Sequence, residues 1–232
     1  MSEGMTGKES GYDHLLHYLG REPQRLAGEI MRAVGAKGSG LQWRLPPGAE
    51  EPGADPALAR WHGLDFLRPA GRVPIAWQST WPQDRPPIVW DAVGRIAMTP
   101  RGWSWFMVCA FAHPDEMMQP LKEPLDPSSP VIAAAIGQMQ HLYHVTPGSD
   151  WLNTSPYLTE RLVAYGQQRA YGSCAQLLWV YLTDDSPEGA SGCPTRDEWE
   201  QTIGDVERRM GLTGKSVAER NIHQLFLPVL PN

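Results

Sequence analysis

Ten of the chain's 22 prolines fall between Arg44 and Pro100, and this crowding limits the fold more than any other feature. Proline has no backbone N–H and its ring clashes with the preceding turn, so the stretch excludes long helices and favours short strands separated by turns. Val73–Trp77 and Ile88–Trp90 read as two such strands, with Pro74 sending the first to a sheet edge. The stretch ends at Thr99-Pro100-Arg101-Gly102, where proline presets φ and glycine closes the turn. Residues 93–99 and 103–111 are therefore predicted to form an antiparallel hairpin. On its second strand Trp103, Trp105, Met107, Cys109 and Phe111 alternate with Phe106, Val108 and Ala110. Both faces are apolar, which predicts a central strand covered on each side, with Trp103 and Trp105 in the core.

Helical spacing dominates elsewhere. Leu15, Leu16 and Leu19, then Leu26, Ile30, Met31 and Val34, predict two short helices after a loose tail over residues 1–10. Pro23 suits the first position of the second helix and Gly35 its exit. Beyond His113, Ser129-Pro130 opens a helix with Val131, Ile132, Ala135, Ile136 and Met139 inward. Ser155-Pro156 opens a longer one, expected to run through Leu177, Leu178 and Tyr181 to about Thr183, weakened at Gly166 and Gly172. Thr195-Arg-Asp-Glu198 and Ser216-Val-Ala-Glu219 fit the capping box and predict two more. The expected architecture is α+β, a β-rich amino half around a central antiparallel hairpin with a helical carboxyl half packed on it. Residues 11–232 are read as one domain, and the point at which it would divide is 112/113.

Charge separates the halves. Residues 1–112 carry a net +1 and residues 113–232 a net −7. The acidic stretch from Asp184 to Glu207 would repel a phosphate backbone, so any nucleic acid is expected at the amino half. Three cysteines without a CxxC pair give no disulfide framework and no zinc ribbon, and a reducing cytoplasm is the expected compartment. No apolar run approaches the roughly 20 residues a bilayer span needs, so no membrane is expected among the partners.

The chemical motifs are sparse. Gly211–Ser216 ends like a phosphate-binding loop, but Arg209 stands where its first glycine belongs. His14 with His17, and His141 with His144, are i, i+3 pairs that would each present two imidazoles on one helix face, a weak signal against the ordinary reading of hydrogen-bonded or solvated histidines. Neither a metal nor a cofactor is expected. Gly172-Ser173-Cys174 leading into an apolar helix would place a thiol at a helix N-terminus, where the dipole favours thiolate. His223, expected in a helix, is its candidate base. The rival expectation is that Cys174 belongs to the core.

Seven tryptophans share residues 43–105 with seven arginines. Indoles stack on bases or fill hot-spot pockets, and guanidinium forks grip phosphate or carboxylate. Trp77, Trp81, Trp90, Arg85, Arg95 and Arg101 are the candidate binding residues, because turns and edge strands should leave them near water. The preferred reading is a non-catalytic binding or assembly subunit of a larger complex, a nucleoprotein complex included, contacting protein or nucleic acid through residues 43–105. The alternative is a cysteine-dependent hydrolase or transferase with Cys174 as nucleophile and His223 as base.

Overall fold

A five-stranded mixed sheet forms the middle layer, and helices cover both of its faces. The structure is a computed structural model and describes residues 9–36, 40–44, 60–64, 66–67, 81–82, 84–99, 102–121, 123–145, 149–170, 174–184, 192–212 and 221–231. The predicted strand at 73–77 and the capping box at 216–219 lie outside these residues.

Strands β1 (Leu41–Arg44), β4 (Ala92–Thr99), β5 (Gly102–Phe111), β6 (Ala175–Thr183) and β7 (Ile222–Pro228) lie side by side in the order β1-β4-β5-β6-β7. A separate two-stranded ribbon pairs β2 (Trp61–His62) with β3 (Val89–Trp90). The hairpin forms as the turn chemistry predicts, with β4 antiparallel to β5 and Thr99 opposite Gly102. From β5 onward the sheet is parallel, since β6 and β7 are each reached through helices. The chain is thus α+β, with the carboxyl half supplying two strands as well as helices.

Both faces of β5 are buried. Met107, Cys109 and Phe111 face one layer, and Phe106, Val108 and Ala110 face the other. Only the start of the strand departs from expectation: Trp103 is 42% exposed and Trp105 half-buried against the core. The second layer is α1 (Gly11–Arg21) and α2 (Pro23–Ala33). Ser10 and Asp13 cap α1 reciprocally, Pro23 opens α2, and Gly35 leaves it at φ 64°. Leu15, Tyr18, Leu26 and Ile30 lie on Val108, Leu178, Val180 and Leu225 of the sheet. Full burial of each such side chain stabilises by about 1.5–3 kcal/mol.

The opposite layer holds α3 (Pro114–Met117), α4 (Pro130–Leu142), α5 (Trp151–Thr154), α6 (Pro156–Ala170) and α7 (Arg196–Met210). In α4 the inward stripe is Ile132, Ala135, Ile136 and Met139, while Val131 is exposed rather than inward. Gly166 lets α4 and α6 approach closely, because a Cβ there would collide with the Met139 sulfur. The largest departure from the sequence reading follows α6. The helix ends at Ala170, and the run expected to continue it to Thr183 is strand β6, buried at every position. A strand covered on both faces needs no alternation, and its unbroken apolar run matched a helical stripe equally well. The described helices include none long and apolar enough to cross a membrane.

Candidate functional site

The parallel strands bring together, at the carboxyl end of β5, a set of charged side chains from distant parts of the chain. The corner after Phe111 is held by Glu116. Its carboxylate accepts hydrogen bonds from the backbone N–H groups of Ala112 (3.0 Å), His113 (3.1 Å) and Gly11 (3.0 Å). The last of these ties the start of α1 to the corner, and glycine is required there because a Cβ at position 11 would overlap the Ala110 backbone. The neighbouring residue Tyr12 carries the Arg60 guanidinium 3.6 Å above its ring. Arg60 also lies 3.5 Å from Asp91, whose side chain is 5% exposed. The other Asp91 oxygen accepts the Ala110 N–H at 2.9 Å, where β5 has run past the end of β4.

Behind this pair lies a buried ion network from α6. Arg161 donates to the carbonyls of Val89 (2.9 Å) and Tyr157 (3.1 Å) and stacks on the Tyr157 ring. Arg85 donates to the carbonyls of Pro124 (2.9 Å) and Glu123 and lies 3.6 Å from Glu160. Burial dominates the electrostatics. It raises the carboxyl groups of Asp91, Glu116 and Glu160 above their ordinary range, against the pull of nearby N–H groups and arginines. It also lifts the Cys109 thiol to about 12, which leaves that cysteine protonated and unreactive at neutral pH.

Three hollows open around this network. One of about 590 Å³ is lined by Tyr12, Arg60, Asp91, Asp115 and Glu116. A second of about 350 Å³ is lined by His62, Arg85, Glu123, Glu160 and Arg161. The third, of about 560 Å³, lies against Leu125, Asp150, Asn153 and Pro156. All three share Pro120, and Met118, Gln119 and Leu121 each border two of them. The connector after α3 is therefore a common wall, and Met118 stands on it 41% exposed.

The residues singled out from the sequence fall elsewhere or inside. Trp90 is fully buried and donates to the Gly63 carbonyl at 2.7 Å, and Trp81 is buried too, so neither offers a face to water as expected. The β2–β3 ribbon packs its indoles inward because an apolar ring of that size gains most there, and the indole N–H finds a carbonyl. Arg85 is committed to the network just described. Arg95 remains at the surface, 4.6 Å above the exposed ring of Trp103 and bonded to Gln42. Trp77 and Arg101 lie outside the described residues.

Cys174 is exposed but precedes a strand, so no helix N-terminus supports its thiolate. His223 belongs to β7 rather than to a helix, and its register partner is Leu178. Cys174 comes four residues before Leu178, which places the two side chains on the order of 13 Å apart along the sheet. The structure does not bring this nucleophile and base together. His141 and His144 are both exposed, whereas His14 and His17 converge with Glu9 beside α1. Asp91, Glu160 and Arg161 escaped the sequence reading, and Glu116 figures there only as a polar residue of the loop after His113. The available signal was the charged pair Glu160-Arg161 set between Leu158 and Leu162 on the inward side of a helix. Comparison with protein-family models, with curated proteins and with solved structures found no match to this chain.

Proposed function

We propose that the protein is a non-catalytic binding subunit that assembles with a protein partner, and that the partner's contact is an extended cationic segment lying across Met118–Leu121. The observation that carries this reading is the convergence of three hollows on one exposed connector, each bordered by an exposed carboxylate: Asp115, Glu123 and Asp150. The buried charges behind them are held by internal partners, so the surface is preorganised and loses little freedom on binding. An extended chain can fill separate hollows with alternate side chains while its lysines or arginines meet the rim carboxylates. The test is the complex purified from the native host. Met118→Lys, which places a like-sized cation on the shared wall, and the double variant Asp115→Lys/Glu123→Lys should each release the partner, while Val131→Asp on α4 retains it. Retention by all three variants would remove the connector from the interface.

One observation favours a nucleic-acid contact as a second reading. Among the described residues, Arg95 on Trp103 is the arginine–indole stack, and it is exposed. Such a pair can stack a base and neutralise a phosphate. Binding through it must weaken steeply with salt and fall in Trp103→Ala and Arg95→Gln. Oligonucleotide binding indifferent to both substitutions would remove this version.

A further inference from the structure

We propose that Glu9, His14 and His17 form a binding site for a divalent cation of the zinc type. His14 and His17 stand one turn apart on α1, and Glu9 reaches them from the residue before the helix cap. One oxygen of Glu9 lies 3.5 Å from Nδ1 of His14 and 4.0 Å from Nδ1 of His17. The three ligand atoms all lie within 4.8 Å of one another.

These separations are too long for hydrogen bonds, which hold an N–H within about 3.2 Å of its acceptor. They are close to what a shared ion requires, since two ligands each about 2.1 Å from a tetrahedral zinc lie about 3.4 Å apart. The second observation is independent. Nδ1 of His14 and Nδ1 of His17 are both shielded from solvent and have no hydrogen-bond partner. The His14 side chain is only 7% exposed. Leaving a buried polar atom without a partner is costly, so two of them aimed at one carboxylate call for an occupant.

Two imidazoles and one carboxylate suit zinc better than calcium or magnesium, which take oxygen ligands. Glu9 is 43% exposed in its side chain, so the fourth position faces water. The sequence concealed the site because the carboxylate comes from outside the helix and matches no helical step.

Calorimetric titration of the full chain with Zn²⁺, after treatment with chelator, tests the assignment. Co²⁺ absorption reports the coordination geometry. One Zn²⁺ per chain is expected, with binding weakened at least about tenfold in His17→Ala and in Glu9→Ala, since even loss of an outer-shell partner has that effect. Both positions are partly exposed, and circular dichroism confirms that the variants fold. His144→Ala should bind as the parent does. Absence of stoichiometric binding, or equal affinity in parent, His17→Ala and Glu9→Ala, would overturn the site.

Discussion

The two faces of the sheet are built from different materials. Against α1 and α2 the core is aliphatic: Leu15, Leu26, Ile30, Val108, Leu178, Val180, Leu182, Leu225 and Leu227 fill it, with Tyr18 and Phe106 as its large rings. Against α4–α7 it is aromatic and threaded with charge. Trp61, Trp81, Trp90, Trp151, Trp179 and Trp199 all lie there, beside Arg161 and Glu160. The first face covers regular elements whose backbone groups satisfy one another. The second covers the proline-rich connectors, where carbonyls outnumber N–H donors because proline has none. Tryptophan suits that deficit, since it buries a large ring and brings a donor with it. Trp61 donates to the carbonyl of Arg44, Trp90 to Gly63, Trp151 to Met210 and Trp199 to Leu182. Phenylalanine could supply the ring but not the donor.

The same incoming residue should therefore have very different effects on the two faces. Leu178→Met on the aliphatic face nearly conserves volume and should cost less than about 1.5 kcal/mol. Arg161→Met should cost about 3–5 kcal/mol, because it removes a buried cation that offsets the Asp91 and Glu160 carboxylates and takes the guanidinium donors from the Val89 and Tyr157 carbonyls. Urea unfolding midpoints of the two variants measure the difference. Equal losses would mean that the network is solvated in solution and that the faces do not differ in kind.

This contrast also decides which features could be read from the sequence. The hairpin was legible because Pro100 and Gly102 mark a turn and the alternation of β5 shows its two faces. The capping box at Thr195 and the proline at position 23 are local devices, and local devices survive in a sequence, whereas the reciprocal cap of Ser10 with Asp13 falls at the end of the segment that reads as a loose tail. β6 was not legible. Leu177, Leu178 and Tyr181 repeat as a helix would, and only the pairing of Cys109 with Trp179 and of Trp179 with Gln224 makes the segment a strand. The candidate site was hidden for the same reason. Tyr12, Arg60, Asp91, Glu116 and Arg161 meet through strand pairing across the whole chain, and no spacing records that. The interleaving of tryptophan and arginine was legible, but as a recognition surface; among the described residues its buried members instead staple connectors, and Arg95 with Trp103 is the pair left at the surface.

A second experiment sharpens the comparison within the aromatic face. Trp199 and Trp179 are both buried, yet the Trp199 N–H donates to Leu182 at 2.7 Å while the Trp179 N–H has no partner. Replacing each by phenylalanine removes similar ring area. Trp199→Phe leaves a carbonyl orphaned, and Trp179→Phe removes an unsatisfied donor. The first should cost about 1–3 kcal/mol more than the second. If the two variants unfold at the same denaturant concentration, the indoles act through area alone.

The smallest effect concerns protons, and the two faces should respond in opposite senses. His223 projects from β7 toward α2, where its ring bonds the Ala33 backbone and its Nε2 is buried without a partner. Burial lowers its pKa below the ordinary 6.5, so the folded state binds fewer protons than the unfolded one. Its contribution is fully present above pH 6.5 and is lost as pH falls through the lowered value. Asp91, Glu116 and Glu160 are shifted upward, so the folded state holds protons that the unfolded chain has released. Their contribution is fully present when protonated and is lost as pH rises through the raised values. Acidification therefore withdraws stability at the aliphatic face and returns it at the aromatic face. In His223→Gln the first term is gone, so the stability difference between parent and variant should narrow as pH falls below 6.5. A gap that stays constant from pH 7.5 to 5.5 would mean that His223 titrates alike in the folded and unfolded chains, and the α2–β7 contact would then be open to water.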